Sequence, residues 1–516
     1  MAKGSTNAII VVGGGGISGF TVPACSNVTA RSSSGKIYIK WTDPDDIYDG
    51  GKLISWTKSE VRLIVANDSS SSAYPKKVTD GTLVGTFTTK NQYQSTELEF
   101  TPPSTIGSDV NCCIMVYAHC SIAGDTKDYI NGEYKAQSSA QFKIKSYSTW
   151  TVVIDESNSN PLSCCTYADD AVGMTKGSSD WDEIFGYKPC IFYQGAVYKY
   201  LNPNDFTKFE DGTDAIKYIA DSNYAGYDVM IEFPRMGLTM SKSGTQVTIS
   251  LTNNPNDNNF EYRAHKRGSV AKNAFYLGAY DATGNVVSGI TGDTIGSTTG
   301  KSPLTNKTLT QFIEYAHVRG SGYEIMAFYQ WTYIQCLYVL KYGNLNSQKA
   351  LGKGYTDGSA KQNTGATNTQ GMCYGNPNSG IDRMKLFGLE DLWGNVYQFI
   401  SGLYSDSNRN LLTTTDNFGV NTSADAWEYN VSSGTTGSVS GYMTESQGTN
   451  NGGFVIKVDG GSSTTYYSDA SYLNASNFPY VCGGWDNGDL AGVFRCSISS
   501  SASAASSNVG SRLMYL

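Results

Sequence analysis

The sequence predicts a multidomain chain in three parts. A short attachment or oligomerisation segment covers residues 1–21, a small β-sandwich covers 22–147, and a larger α+β domain covers 148–516. Three observations lead there. A chain of 516 residues is too long for one ordinary core. With 16% charged and 12% aromatic residues, 36 Tyr and 56 Gly, the composition suits strands, turns and polar surface rather than disorder. The apolar periodicity also changes near residue 150, from strands alone to strands with helices.

The first segment reads NAIIVVGGGGISGF over residues 7–20, a short apolar strand followed by a glycine joint. Its GGGISG run matches G-x-G-x-x-G. A dinucleotide site also needs a following helix inside a βαβ unit, whereas Pro23 and a Ser/Thr-rich stretch come next.

The second part alternates with the strand period. KIYIKW (36–41) turns at DPDD (43–46), EVRLIVA (60–66) follows, NCCIMVYA (111–118) is a buried strand, and QFKIK (141–145) closes the set. The pattern resembles a fibronectin type III module with Trp41 as its core aromatic.

In the third part TVVI (151–154), DVMIEF (228–233), QVTIS (246–250) and AFYLGAY (274–280) read as strands. Leu309, Phe312, Ile313 and Ala316 fall at i, i+3, i+4, i+7, which predicts a helix with Thr308 as its N-cap. A second helix over 327–342 stops at Gly343. Residues 352–380 and 405–463 read as long polar loops, a length that is usually functional.

Charge and cysteine usage exclude several classes. The net charge is −8 with no basic stripe, which argues against a nucleic-acid partner. The start MAKGS lacks a signal-peptide layout, and the most apolar stretch, 323–340, contains Glu324, Gln330 and Gln335. Synthesis in a bacterial cytoplasm without membrane insertion is the expectation. The 11 cysteines, with adjacent pairs Cys112-Cys113 and Cys164-Cys165, read as reduced, buried apolar residues. Cys112 and Cys113 point to opposite faces of a strand, so with His119 and Cys120 they do not make a zinc site. His265 reads as surface and His317 as helix surface or interface, with no nucleophile beside either. Asp45-Asp46 and Asp169-Asp170 read as turn residues, and no EF-hand spacing is present. No cofactor and no metal are expected.

The strongest constellation is compound. FGLEDLWGNVYQFI (387–400) precedes CGGWDNGDLAGVFR (482–495), and the chain closes on GSRLMYL (510–516). Trp393, Gly394, Asn395, Gly483, Gly484, Trp485, Phe494 and Arg512 read as framework, with Trp393 and Trp485 as core anchors. Small polar residues lie between them and are expected to point outward. This order resembles the C-type lectin fold of formylglycine-generating-enzyme-like proteins. With the N-terminal NAIIVVGGGG, DESNSNP (155–161) and LNPNDF (201–206), it resembles tail-fibre or receptor-binding proteins of bacteriophages. In such proteins the lectin-fold domain is often the variable protein of a diversity-generating retroelement. By that resemblance Cys482, Asp486, Asn487, Asp489, Leu490, Arg495, Ser497, Ser499, Ser506 and Asn508 are the exchangeable, ligand-binding positions.

The resemblance implies a virion protein that recognises a bacterial surface protein or glycan, contacts other tail proteins and forms a homo-oligomer, by analogy a homotrimer. Two rivals are an enzyme on the same fold, either formylglycine-generating or carbohydrate-active, and a structural decoration protein. The enzymes carry a reactive cysteine pair after their G-G-S-W segment. Here that place reads DNGDLA (486–491), so no thiolate nucleophile is available there and no enzymatic activity is expected.

Overall fold

The computed structural model describes residues 9–12, 20–33, 35–66, 73–75, 77–103, 106, 110–131, 138–144, 147–220, 226–285, 287, 293–416, 418–432, 440–455, 457–458 and 460–516. The glycine joint after residue 12 and Lys145 lie outside them. The protein is strand-rich, with several sheets and few helices, and divides into two compact units, Met1–Ser148 and Thr149–Leu516.

In the first unit the long strands Lys52–Val65 and Val110–Ile122 pair antiparallel at the centre of a seven-stranded sheet. The strand Val110–Ile122 splits its side chains by parity, as the two-residue period requires. Cys112, Ile114, Val116 and Ala118 share a core with Ile37, Ile39 and Trp41 of a three-stranded sheet. Cys113, Met115 and Tyr117 pack on the other side with Ile64 and Ile130. Both faces are covered, which explains the unbroken apolar run. Trp41 donates its indole N–H to Asp43 at 2.8 Å, so the ring is buried without an orphaned donor.

The second unit holds two seven-stranded sheets and a four-stranded one. One large sheet runs from Asp205–Phe209 through Lys188–Tyr193, Tyr227–Pro234 and Ala274–Gly278 to the C-terminal strand Leu513–Tyr515. The other carries Ala470–Leu473, Cys496–Ser500, Phe478–Val481, Tyr397–Phe399 and Val509–Ser511 side by side. Arg512 is therefore the single residue that joins the last strands of both sheets.

Helix Leu309–His317 is closed by a capping box in which Gln311 N–H donates to Thr308 Oγ1 at 3.1 Å and Thr308 N–H to Gln311 Oε1 at 3.0 Å. Its apolar face, Leu309, Phe312, Ile313 and Ala316, is buried. Helix Phe328–Tyr342 is buried on every side except at Tyr342, as its lack of a polar face requires. It ends at Gly343 with φ 50°, whose N–H bonds back to Val339 O.

Two readings change. Residues 405–463 are not one irregular loop, because the short strands Leu411–Thr413, Tyr429–Val431 and Ser440–Glu445 interrupt them. His265 is buried rather than on the surface. It packs edge-on to Tyr333, and burial holds its pKa down at about 3, so the ring stays neutral.

His317 occupies the last helical turn, with Nε2 2.6 Å from the buried carboxylate of Glu324. That hydrogen bond raises the imidazole pKa against a smaller opposing effect of burial. A raised folded-state pKa stabilises fully below the unfolded value of about 6.5 and is lost as pH rises through the folded value. His317→Gln is therefore expected to lower the melting temperature at about pH 6 and to approach the parent by about pH 9. A gap that stays constant across that range would show that the protonated ring contributes nothing.

Candidate functional site

The region after residue 481 is built on a rigid base. Gly483 adopts φ 91° and packs where a Cβ would lie 2.7 Å from the Ala491 Cβ. Gly394 N–H donates to Gly483 O at 3.1 Å, Trp485 N–H to Asn395 O at 3.0 Å, Gly358 N–H to Trp485 O at 2.7 Å, and Gly488 N–H to Thr356 O at 2.9 Å. Gln348, buried, donates to the carbonyls of Gly488 at 2.8 Å and Ala491 at 2.9 Å. The turn is thus fixed largely through its main chain, with the Asn487 side chain also accepting from Gly484 N–H at 2.6 Å.

Beneath it lies a buried polar network. Arg512, with no exposed surface, donates to Gln398 Oε1 at 3.0 Å, Gly278 O at 2.8 Å and Glu390 O at 2.7 Å, and sits 3.4 Å from Asp281. Asn395 donates to Asp281 at 3.0 Å and accepts from Gln362 N–H at 2.8 Å. Arg383 bridges Glu390 and Asp391. Burial pushes the Asp281 carboxyl well up, against the pull of Arg512. Glu390 also accepts from Gly365 and Thr367 N–H, each at 2.7 Å, which ties down the long loop 352–380. Trp393 and Phe494 are fully buried as expected, and Trp393 donates to Gly352 O at 3.0 Å. Trp485 is only half-buried: its main chain, not its ring, does the anchoring.

The ten positions expected to face outward divide into three groups. Asp486, Asp489 and Ser506 are exposed, and Asn487, Leu490, Ser499 and Asn508 are half-buried. Cys482, Arg495 and Ser497 are buried, which corrects their expected orientation. Cys482 and Ser497 flank or occupy strands inside the seven-stranded sheet. Cys482 N–H bonds to Arg495 O at 2.9 Å, and Ser497 pairs with both Tyr472 and Tyr480. Arg495 is drawn in because its guanidinium donates to Leu490 O at 3.1 Å and Tyr397 Oη at 2.6 Å, and lies over the Tyr397 ring.

The half-buried and exposed members form two neighbouring features. One is the turn bearing Asp486, Asn487, Asp489 and Leu490. Asn487 spends its Oδ1 on Gly484 N–H at 2.6 Å, and Asp489 pairs with Lys353 at 3.2 Å. The other is a groove of about 160 Å³ lined by Ser499, Ser506 and Asn508 together with Tyr397 and Tyr480. Ser499 Oγ donates to Tyr480 Oη at 3.0 Å, and the two tyrosines meet edge to face at 4.8 Å. Arg495 links the features, reaching from Leu490 to Tyr397. Sequence reading missed Lys353, Tyr397 and Tyr480. Tyr480 is half-buried between buried Pro479 and Val481, and NFPYV (477–481) carries no alternation to mark it, since Phe478 on the same parity is buried and the register shifts between Phe478 and Pro479.

No family model matches the sequence, and no curated protein matches it. Among solved structures the chain is similar to one described as a Major Tropism Determinant U1 variant, at 11% identity over 66% of this chain and 73% of that one, with a TM-score of 0.23. A likeness of that size does not place the fold.

Proposed function

We propose that the protein is a bacteriophage tail receptor-binding protein, with a fibronectin-like N-terminal module and a C-terminal C-type lectin fold whose turn and groove contact a bacterial surface receptor. The observation that supports this best is the separation of roles between residues 482 and 512. The main chain is held by buried bonds, whereas Asp486, Asp489 and Ser506 are exposed, and the Asp489–Lys353 ion pair lies at the surface, where such pairs contribute little. Such a surface tolerates exchange of side chains, as a diversified binding face must. The half-buried Tyr480 beside the serines, backed by the buried Tyr397, adds rigid aromatic area with a polar tip, a mixture common in binding loops. Modest single contacts would gain from repetition on a homotrimer in the virion, next to other tail proteins.

A non-enzymatic role is part of the proposal. Burial pushes the thiols of Cys482 and Cys496 far up, which disfavours the thiolate that oxidative chemistry at this place would need.

Phage carrying Asp486→Ala, Asp489→Ala and Ser506→Ala together are expected to assemble normally and to adsorb to host cells at least ~10-fold more slowly, a loss equivalent to ~1.4 kcal/mol. Unchanged adsorption would favour a decoration role. Diversification has its own test: a near-copy of the last coding bases, differing only at adenines, should lie beside a reverse-transcriptase gene.

A further inference from the structure

A second concavity opens beside the turn, with Asp489 in its lining. Its volume is about 350 Å³, within the roughly 300–1,000 Å³ typical of small-molecule clefts. Its walls come from three separate stretches: the short helix Ser347–Ala350 with Lys353, the segment around Asn378, and residues 463–469, closed by Asp489 of the turn.

The walls are pinned to one another. Asn346 Oδ1 accepts from Lys349 N–H at 3.0 Å, while its Nδ2 donates to Ser463 O at 3.1 Å across the cavity. Gln348 is fixed by its two bonds to the turn, and Asp469 accepts from Phe494 N–H at 2.7 Å. The cavity therefore belongs to the rigid base.

Its chemistry is unusual for a cleft. Pro377 is the one lining residue without a hydrogen-bonding side chain, and no aromatic ring lines it. Ser468 Oγ is buried in the wall with no partner among the described residues. An orphaned buried hydroxyl is costly, and a ligand or water hydrogen bond would recover that cost. The charges balance: Lys349 and Lys353 face Asp469 and Asp489, and Lys353 is already paired with Asp489 at 3.2 Å and Asp357 at 3.3 Å. A lipid or aromatic ligand would find no apolar wall. A phosphate or carboxylate would find its cations already partnered or offset.

We propose that this cavity binds a single neutral sugar residue, using the amides, hydroxyls and Asp469 carboxyl of its walls to read the ring hydroxyls. The sugar's place on a bacterial surface glycan rests on the receptor-binding reading; binding of the free sugar does not. A ligand held by hydrogen bonds without apolar burial binds weakly, so millimolar affinity per site is expected and display in several copies would supply the rest.

The test is saturation-transfer NMR on the full chain with free glucose, galactose, mannose, N-acetylglucosamine and N-acetylgalactosamine, with inorganic phosphate as competitor. At least one sugar should bind saturably, and phosphate should not displace it. Thr464→Trp and Asn378→Trp, on exposed residues of opposite walls, should each weaken binding at least ~10-fold with the melting temperature unchanged. Absence of binding by all five sugars, displacement by phosphate, or binding that survives either substitution in a folded variant overturns the proposal. Phage with Thr464→Trp separates the two readings. Sugar binding lost while adsorption is normal leaves the sugar site standing and removes it from adsorption. Adsorption lost through Asp486, Asp489 and Ser506 in a protein that binds no sugar does the reverse.

Discussion

Replacing Arg512 with Met is expected to destabilise the C-terminal unit by about 3–5 kcal/mol, the size found when one member of a buried ionic network is removed. Met keeps much of the volume and the straight stem, so the loss is electrostatic and hydrogen-bonded rather than a cavity effect. The side chain has no exposed surface, and its donors serve Gln398, Gly278 and Glu390 at 2.7–3.0 Å. Without it two buried carbonyls lose a donor, and Asp281 loses its nearest cation in a site where burial already raises its pKa. The deficit should depend on pH in a set direction. A buried Asp with a raised folded-state pKa binds a proton more readily folded than unfolded, so stability falls as pH rises above the unfolded value of about 3.9. Taking away the cation exaggerates that slope, and the deficit should be smaller near pH 4 than near pH 7. Urea unfolding of both proteins at the two pH values reads this directly. Adding Asp281→Asn to Arg512→Met should recover part of the loss, and a double-mutant cycle with zero coupling would contradict the network.

Legibility of the sequence followed how local each signal was. The capped helix Leu309–His317 was readable because Thr308, its apolar positions and their spacing sit within one short window. The strand Val110–Ile122 was readable from its unbroken apolar run. The structural weight of Asn395 and Arg512 was legible only by resemblance, since their partners lie 114 and 231 residues away at Asp281. His265 and Arg495 failed for the same reason. Each looks like a surface residue by type, and only contacts from distant elements, Tyr333 of helix Phe328–Tyr342 for one and Tyr397 of a strand for the other, bury it. A pattern of side chains along the chain gives the period of exposure. It does not say whether other parts of the chain cover both faces of a strand, as the burial of all of Cys496–Ser500 except Ser499 shows they do there.

Gly394→Ala should produce the second large effect, and the one that tests the link between framework and binding face. Gly394 has φ 85°, a conformation costing other residues about 1–2 kcal/mol. Its missing Cβ is also needed as space. An alanine there would put Cβ 2.7 Å from Tyr355 N and 2.8 Å from Tyr355 O, both main-chain atoms that cannot rotate away. Overpacking of that kind adds about 1–3 kcal/mol, giving a total of ~2–5 kcal/mol. Gly212 provides the control. Its φ is 81°, yet a Cβ would meet nothing within 4 Å, so Gly212→Ala should show the conformational cost alone. The difference between the two substitutions measures the close approach. Its consequence should not stay local. Relief of the clash must part Gly394 from Tyr355, and the same segments carry the bonds to Gly483, Trp485 and Gly488 that set the turn. If the turn binds a receptor as proposed, Gly394→Ala phage should therefore adsorb poorly even at temperatures where the protein remains folded, whereas Gly212→Ala phage should adsorb like the parent. Normal adsorption by a destabilised but folded Gly394→Ala protein would mean that the exposed side chains do not depend on the backbone beneath them.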